Sequence, residues 1–360
     1  MYSATQLFLI YSGLFFGALV FALVTNSVFM RFFRTFGIRD DEEGNVRWSA
    51  SAKPAFGGIG FFIIFLGAFA VHGALFPKQS NPLQPELLGL LIATGLGFLM
   101  GLADDAYNTR PLLKFATQVA CGAILIISGS SIHIFHNQAL DYAITLLWVV
   151  GMMNSINMLD NMDAITTVTA ICILSTGLMV QLFTGPVITI NVVLLIGTIA
   201  SLGGFLFFNW NPSRMYMGDT GSQFLGVFLA YIGIHNFWNG VSINGVEEPW
   251  RQAVGALIVF ILPIIDTTTV TINRIMKGRS PFVGGKDHTT HHLSYAGLSD
   301  AQVALIFGGL GAVSFLLALG MLRFIPVWKP LYSFIFIGYA VALFIFLFSL
   351  TKRTRPKKEA

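Results

Sequence analysis

A chain of 360 residues that is 55% hydrophobic and only 11% charged lacks the polar surface of a soluble globule, where roughly a quarter of residues are charged. Its mean hydropathy of +0.73 makes lipid the main solvent, which only helices and closed barrels can cross with their backbone satisfied. A formal net charge of +4 is modest for this length and gives no reason to expect a nucleic-acid partner.

The apolar stretches run unbroken for about 20 residues instead of alternating over about 10, so helices are favoured over a barrel. The expectation is an all-α, polytopic helical membrane protein of eleven spans. In chain order they cover roughly 5–30, 55–76, 87–103, 112–131, 140–160, 164–184, 187–208, 221–238, 252–274, 302–323 and 331–351, each about the length that crosses a bilayer. No Lys or Arg precedes Arg31, so the charged start of a cleavable signal is not expected. Cys121 and Cys172 lie within apolar runs and read as small buried hydrophobes.

Basic residues orient the bundle. With the N-terminus outside, 17 of the 21 Lys and Arg fall on one side, leaving Lys78, Arg251, Arg323 and Lys329 on the other. The rich side is expected to be cytoplasmic, and so is the C-terminus. The basic tail 352–360 is expected to lie against anionic headgroups. No internal repeat or linker stands out, so residues 1–360 are read as one domain.

The same side collects the acids, and acids at the ends of membrane spans are functional candidates by default. The third span closes with Asp104-Asp105. Adjacent carboxylates need a nearby cation or a retained proton, which fits metal binding, proton transfer, or plain neutralisation by Arg110 and Lys114. Next comes Asn154-Ser155-Ile156-Asn157-Met158-Leu159-Asp160-Asn161-Met162-Asp163. Asn154, Asn157 and Asn161 fall at i, i+3 and i+7 and so share one helical face, with Asp160 and Asp163 continuing around the helix. Interhelical hydrogen bonding would account for only some of these groups.

The third cluster runs from Phe208-Asn209 through Pro212 and Arg214 to Tyr216-Met217-Gly218-Asp219-Thr220-Gly221-Ser222. Asp219 stands just before the eighth span, where free amides attract anions, although an Asp cap with Gly in the turn would look the same. The fourth is Asp287-His288-Thr289-Thr290-His291-His292, preceded by Arg279 and Lys286. Three histidines suit a transition metal. The acids, however, are hard oxygen donors suited to Mg²⁺ or Mn²⁺, and the histidines then read as partners of phosphate. His72, His133, His136 and His235 fall on the opposite side.

Together these clusters resemble the polyprenyl-phosphate N-acetylhexosamine-1-phosphate transferase family. Its ordered marks are an acid pair, N-x-x-D-x-x-D, an F-N…P…F-M-G-D-x-G-S loop and a late histidine-rich loop. Pro54 with Gly57-Gly58 is similar to the family's early P-x-x-G-G stretch. Asp266…Arg274, Gly278-Arg279-Ser280-Pro281-Phe282 and the histidine loop resemble the branch that initiates O-antigen and teichoic-acid linkers, since the three consecutive histidines of the phospho-muramoyl-pentapeptide branch are absent. Two departures are Ala164, where the family usually has Gly, and Tyr216, where Phe is common.

The resemblance implies attack by a polyprenyl phosphate on the β-phosphate of a UDP-N-acetylhexosamine, with UMP released at the cytoplasmic face of a bacterial inner membrane. Asp219 would be the principal ligand of Mg²⁺ (or Mn²⁺), with Asp105 beside it. Asp104 would orient, or take a proton from, the lipid phosphate. Asn157, Asp160, Asp163, Asn209 and Tyr216 would hold uridine and sugar; Arg279, His288, His291 and His292 would grip the diphosphate. Asp104, Asp105, Asp160, Asp163, His291 and His292 form the expected catalytic set, and Lys53, Asn154, Asn157, Asn209, Tyr216, Arg279 and His288 the expected substrate-binding set. Homodimerisation is left open. The rivals are a phospho-muramoyl-pentapeptide transferase and, in another class, an ion-coupled transporter, which would place acids near the bilayer midplane between related halves. A membrane protease is a further rival, but the chain has no H-E-x-x-H.

Overall fold

The computed structural model describes residues 2–32, 53–78, 81, 83–281 and 284–355. Arg34, Arg39, Arg47, Phe282 and the end of the basic tail, 356–360, lie outside the described residues. Every regular element among those described is helical: α1 (Ala4–Phe32), α2 (Gly57–Leu75), α3 (Pro85–Tyr107), α4 (Pro111–Ile127), α5 (Gln138–Leu159), α6 (Ile165–Thr184), α7 (Ile190–Asn209), α8 (Gly218–Gly233, extended by a π turn over Ile234–Trp238), α9 (Pro249–Val259), α10 (Ile261–Met276), α11 (Thr289–Tyr295), α12 (Asp300–Phe324) and α13 (Pro330–Arg353). The starts follow local chemistry. Pro85, Pro111, Pro249 and Pro330 open α3, α4, α9 and α13, where a missing N–H costs nothing.

Each expected span coincides with helix, but the eleven are not alike. Eight described helices are long and apolar enough to cross a membrane, or nine if one bent pair counts as a span. The exceptions are informative. α4 has 17 residues, about 25 Å at the helical rise, and α8 proper has 16. The expected span 252–274 is broken: α9 and α10 meet at 74°. Pro263 explains the break, because its ring opposes the carbonyl four residues back, and that residue is Val259, the last of α9.

α8 is the axis of the bundle, buried from Thr220 to Gly233. It packs on α2, α3 and α5 through rings such as Phe65 and Phe224, whose centroids lie 5.2 Å apart. Peripheral α1 and α13 expose Phe8, Phe16, Phe21, Phe334 and Phe346. Such apolar outer surfaces have no soluble counterpart on this scale, and the protein is a multi-pass membrane protein. Lipid tails are as apolar as leucine, so close backbone approach and polar contacts hold the helices together. Cys121 and Cys172 are free thiols.

Candidate active site

The C-terminal ends of α3, α5, α7 and α10 and the N-terminal ends of α4, α8 and α11 surround one cavity of ≈ 800 Å³. Asp104, Asp105, Asn154, Asn157, Asp160, Asp163, Asn209, Tyr216, Asp219, His288 and His291 all line it. Four sequence segments thus converge on one end of the bundle.

The first corner is made by a tight reversal. α3 stops at Tyr107, Asn108 turns left-handed with φ 50°, and Pro111 starts α4. Lys114, in the first turn of α4, therefore returns to the acids that close α3. Its Nζ lies 2.5 Å from Asp104 Oδ2 and 2.6 Å from Asp219 Oδ2. Asp104 Oδ1 accepts from the Thr109 amide at 2.8 Å and from its hydroxyl at 2.5 Å. Asp219 Oδ1 accepts from Asn157 Nδ2 at 2.6 Å, and the same amide reaches Ser222 Oγ at 2.9 Å. One ammonium is thus shared by two carboxylates.

Asp105 does not join this shared point. Its Oδ1 accepts from the Asp219 amide at 2.9 Å, while Oδ2 accepts from the Thr220 amide at 2.9 Å and the Thr220 hydroxyl at 2.6 Å. The expectation that Asp105 sits beside Asp219 as a metal ligand is corrected: both oxygens are taken by the first turn of α8, whose exposed amides attract an anion.

The second cluster is not one helical face. α5 ends at Leu159, Asp160 is its C-cap, and Ala164 (φ 65°) opens α6. Asn154 and Gln118 exchange hydrogen bonds, with Asn154 Nδ2 donating to Gln118 Oε1 at 2.7 Å. Asn161 lies beyond the helix and accepts from Thr290 Oγ1 at 2.6 Å. Asp163 braces the third cluster: it accepts from Asn211 Nδ2 and the Ser213 amide, each at 2.9 Å, and from Ser213 Oγ at 2.7 Å. Asn209 is also engaged, accepting from the Ala164 amide at 3.1 Å and Thr167 Oγ1 at 2.8 Å and donating to the Met215 carbonyl at 3.1 Å. Both face the cavity as framework. Lys53 stands behind that framework, 3.0 Å from Ser213 Oγ and over the Tyr216 ring at 5.0 Å.

Asp160 is the acid with the most unusual surroundings. Burial first, then the negative Asp219, Asp105 and Asp163, push its carboxyl up to about 8. It therefore retains its proton near neutrality and can donate a hydrogen bond.

In the histidine loop, Asp266 accepts from His288 Nδ1 at 2.8 Å and from the Thr289 amide at 2.8 Å. That pairing orients His288 and leaves Nε2 for the cavity. His291 accepts from the His288 amide at 3.3 Å. Burial, then neighbouring His288, lowers its pKa to about 3, so it is neutral. His292 is a correction: it is absent from the cavity wall and lies 2.7 Å from Thr354 Oγ1 beyond α13, because successive residues of a helix point about 100° apart. Arg279 is another. It is exposed and off the wall, while Arg274 takes the wall position and clamps the loop through Asp287 at 2.9 and 2.7 Å and the Pro281 carbonyl at 2.8 Å. For Asp287, burial works upward but the Arg274 pair prevails, holding its carboxyl below the usual range.

Sequence reasoning treated Lys114 only as a counter-charge, quoted Ser222 without giving it a role, and passed over Thr109, Gln118 and Ser213. The Thr109-Arg110-Pro111 break was a usable signal for Lys114, since Pro at a helix start marks a reversal that returns the next turn toward α3.

Whether a divalent ion suits the site can be judged from the donors. Among the described residues no group of three or more His, Cys, Asp or Glu is placed to share an ion. Asp104 and Asp219 nevertheless converge on the single point held by the Lys114 ammonium. Mg²⁺ is commonly held by one or two carboxylates plus substrate phosphates, and this donor set fits that pattern.

The family model described as glycosyl transferase family 4 matches residues 87–236, which run from α3 through α8 and carry the first three clusters. A probable undecaprenyl-phosphate N-acetylglucosaminyl 1-phosphate transferase of Bacillus subtilis is 26% identical over 301 residues, covering 81% of this chain and 79% of its own. The decaprenyl-phosphate N-acetylglucosaminephosphotransferase of Mycolicibacterium smegmatis is 27% identical over 294 residues, 73% of this chain and 70% of its own. A phospho-N-acetylmuramoyl-pentapeptide-transferase of Streptococcus pneumoniae is 27% identical over 330 residues, 83% of this chain and 94% of its own.

Proposed function

We propose that this chain, whose residues 87–236 match the glycosyl transferase family 4 model, is a member of that family and transfers N-acetylglucosamine 1-phosphate from UDP-GlcNAc to undecaprenyl phosphate, releasing UMP and starting a lipid-linked surface polysaccharide. The observation that carries this reading is the pair of carboxylates sharing one lysine at the helix-end cavity. Both reactants are phosphate anions. They would be repelled by Asp104, Asp219 and their neighbours unless cations lay between them.

The transfer forms a bond from a lipid-phosphate oxygen to the β-phosphorus of the donor and breaks the bond from that phosphorus to the bridging oxygen, which leaves on UMP. Positioning and charge neutralisation supply most of the rate of such a step. Lys114 supplies a fixed positive charge between the two acids. Asp219, with Asp104 converging on it, would hold Mg²⁺ (or Mn²⁺), and a bound ion would neutralise charge developing on the diphosphate. Asp104 orients the lipid phosphate and accepts a proton when that phosphate arrives monoprotonated. Asn157 holds the Asp219 carboxylate in place. Asp160 meets the donor substrate from the end of α5, Tyr216 offers its ring to the uracil, and His288, steadied by Asp266, turns Nε2 to the diphosphate with His291 beside it. Asp163, Asn209 and Lys53 hold the wall these groups stand on.

The same reading sets the chain in a bacterial inner membrane with eleven crossings, the N-terminus outside and the cavity facing the cytoplasm. Lys53, Arg110, Lys114, Arg214, Arg274, Lys277 and Lys352 at the cavity end support that sidedness. The 94% coverage of the S. pneumoniae relative keeps phospho-muramoyl-pentapeptide transfer as the second reading. Donor choice tests both: purified protein with undecaprenyl phosphate and Mg²⁺ is expected to release UMP from UDP-GlcNAc and not from the UDP-muramoyl-pentapeptide. The reverse preference would replace the first reading with the second.

A further inference from the structure

Resting on that reading, we infer that Asp105 is a positioning residue: together with Gly101 of α3 and Gly58 of α2, and with Gly97 supporting the turn that follows, it fixes the first turn of α8 and thereby the place of Asp219. Gly97, Gly101 and Asp105 are spaced by four and so lie along one stripe of α3, and that stripe runs along α8, with Asp105 and Gly101 at Asp219 and Thr220 of its first turn and Gly97 at Gln223 and Val227 beyond it. At the end of the stripe, Asp105 takes the Asp219 and Thr220 amides and the Thr220 hydroxyl. These are orphan donors of a helix N-terminus that α8's own N-cap, Met217, leaves without a side-chain bond.

The glycines make that approach sterically feasible. A methyl on Gly101 would overlap the Asp219 carbonyl oxygen and lie 2.6 Å from Thr220 Cα. One on Gly58 would overlap the Gly221 amide nitrogen and lie 2.7 Å from the Thr220 carbonyl carbon. At Gly97 the nearest atoms would be Val227 Cγ2 at 3.0 Å and the Gln223 carbonyl at 3.3 Å. The overlaps at Gly101 and Gly58 are with helix backbone, which has no rotamer to give. Gly218, with φ +74°, completes the fit, because a Cβ there would sit 2.7 Å from Asp105 Oδ2. The first turn of α8 is thus gripped through its main chain from two helices, by α3 at Asp219 and Thr220 and by α2 at Thr220 and Gly221, and the Asp219 carboxylate is left for Lys114 and Asn157.

The test compares wild type with Gly101→Ala, Asp105→Ala and the double variant in detergent. It reads UMP release with UDP-GlcNAc and undecaprenyl phosphate alongside hydrogen exchange across residues 217–224. A displacement of about 1 Å at a reacting group costs on the order of 100-fold in rate. Each single variant should therefore lose about 100-fold in kcat with donor KM within about threefold, and the Asp219 and Thr220 amides should exchange about tenfold faster. The double variant should be no worse than the worse single, because both act on one turn. Lost kcat with unchanged exchange in Asp105→Ala would overturn the proposal and give Asp105 a direct role. Unchanged kcat in Gly101→Ala would overturn it too. Should Gly101→Ala fail to fold, Gly97→Ala, which presses mainly on a side chain, must show the same pattern at smaller amplitude or the proposal falls. Wild type that releases no UMP from any UDP-N-acetylhexosamine would sink the transferase reading alone, and faster exchange in the variants would still uphold the positioning role.

Discussion

The two ends of the bundle use carboxylates in opposite ways. At the end away from the cavity Asp141 and Glu248 serve the protein's own backbone. Asp141 is buried and accepts from the Ile134 and Phe135 amides at 3.1 and 2.9 Å. Glu248 accepts from the Trp328 amide at 2.8 Å and pairs with Arg251 at 3.1 Å, and Arg251 also caps the end of α12 through the Met321 carbonyl at 2.8 Å. At the cavity end Asp104 and Asp219 share one lysine, and burial together with neighbouring acids pushes the Asp160 carboxyl up. Residue type is the same at both ends; the balance of charge differs. A surplus of carboxylate at a cavity wall is costly to folding and becomes useful when a cation and an anionic substrate arrive together.

The comparison can be broken most directly at Asp219. Asp219→Ala should lower UMP release by about a thousandfold or more, the scale of losing a principal electrostatic group, with elution and helicity kept. Lys114→Ala should cost about a hundredfold in kcat and leave Asp104 and Asp219 in mutual repulsion, so added divalent ion should raise its melting temperature more than that of wild type. Asp141→Ala sharpens the contrast from the other end. Two buried amides lose their acceptor, for about 1–3 kcal/mol of stability, while kcat per folded molecule stays at the wild-type value.

A pH effect is expected at His291. Its folded value, lowered to about 3, lies below the ordinary 6.5, so the unfolded chain binds the proton more readily. Stability should therefore be full above about pH 6.5 and fall as the pH drops below it. Thermal melting from pH 8 to 5 should show the decline, and His291→Gln should flatten it. Smallest is Ala164→Gly. With φ 65°, the alanine bears roughly 1 kcal/mol of left-handed strain, and glycine should raise the melting temperature slightly. An unchanged or lower value would contradict that assignment.

How much of this was legible in the sequence varies from residue to residue, for physical reasons. Long apolar runs announced the helices, because backbone in lipid has few alternatives. That Asp104, Asp160, Asp219 and His288 meet at one end followed from alternating the spans along the chain, which puts all four on the Lys- and Arg-rich side. The bend at Phe260 was hidden inside a run that reads as one span, although Pro263 stood there to be weighed. The end of α5 at Leu159 was missed because apolar and amide spacing continued past it, while Asp160-Asn161 prefer a turn. Orientation within a seven-residue helix such as α11 is below what periodicity resolves, so His291 and His292 could not be told apart. Asp105 and Asp219 look equivalent as letters. Only the approach of α8 shows that one carboxylate faces amides and the other faces the cavity.

The most direct measurement of the central claim is metal-dependent UMP release by wild type, Asp219→Ala and Asp141→Ala, compared at equal amounts of folded protein with UDP-GlcNAc and undecaprenyl phosphate, with and without EDTA. The account predicts release that needs both lipid phosphate and divalent ion, is lost in Asp219→Ala, and persists in Asp141→Ala. Activity that survives Asp219→Ala, or that fails equally in both variants, would contradict the division of labour between the two ends.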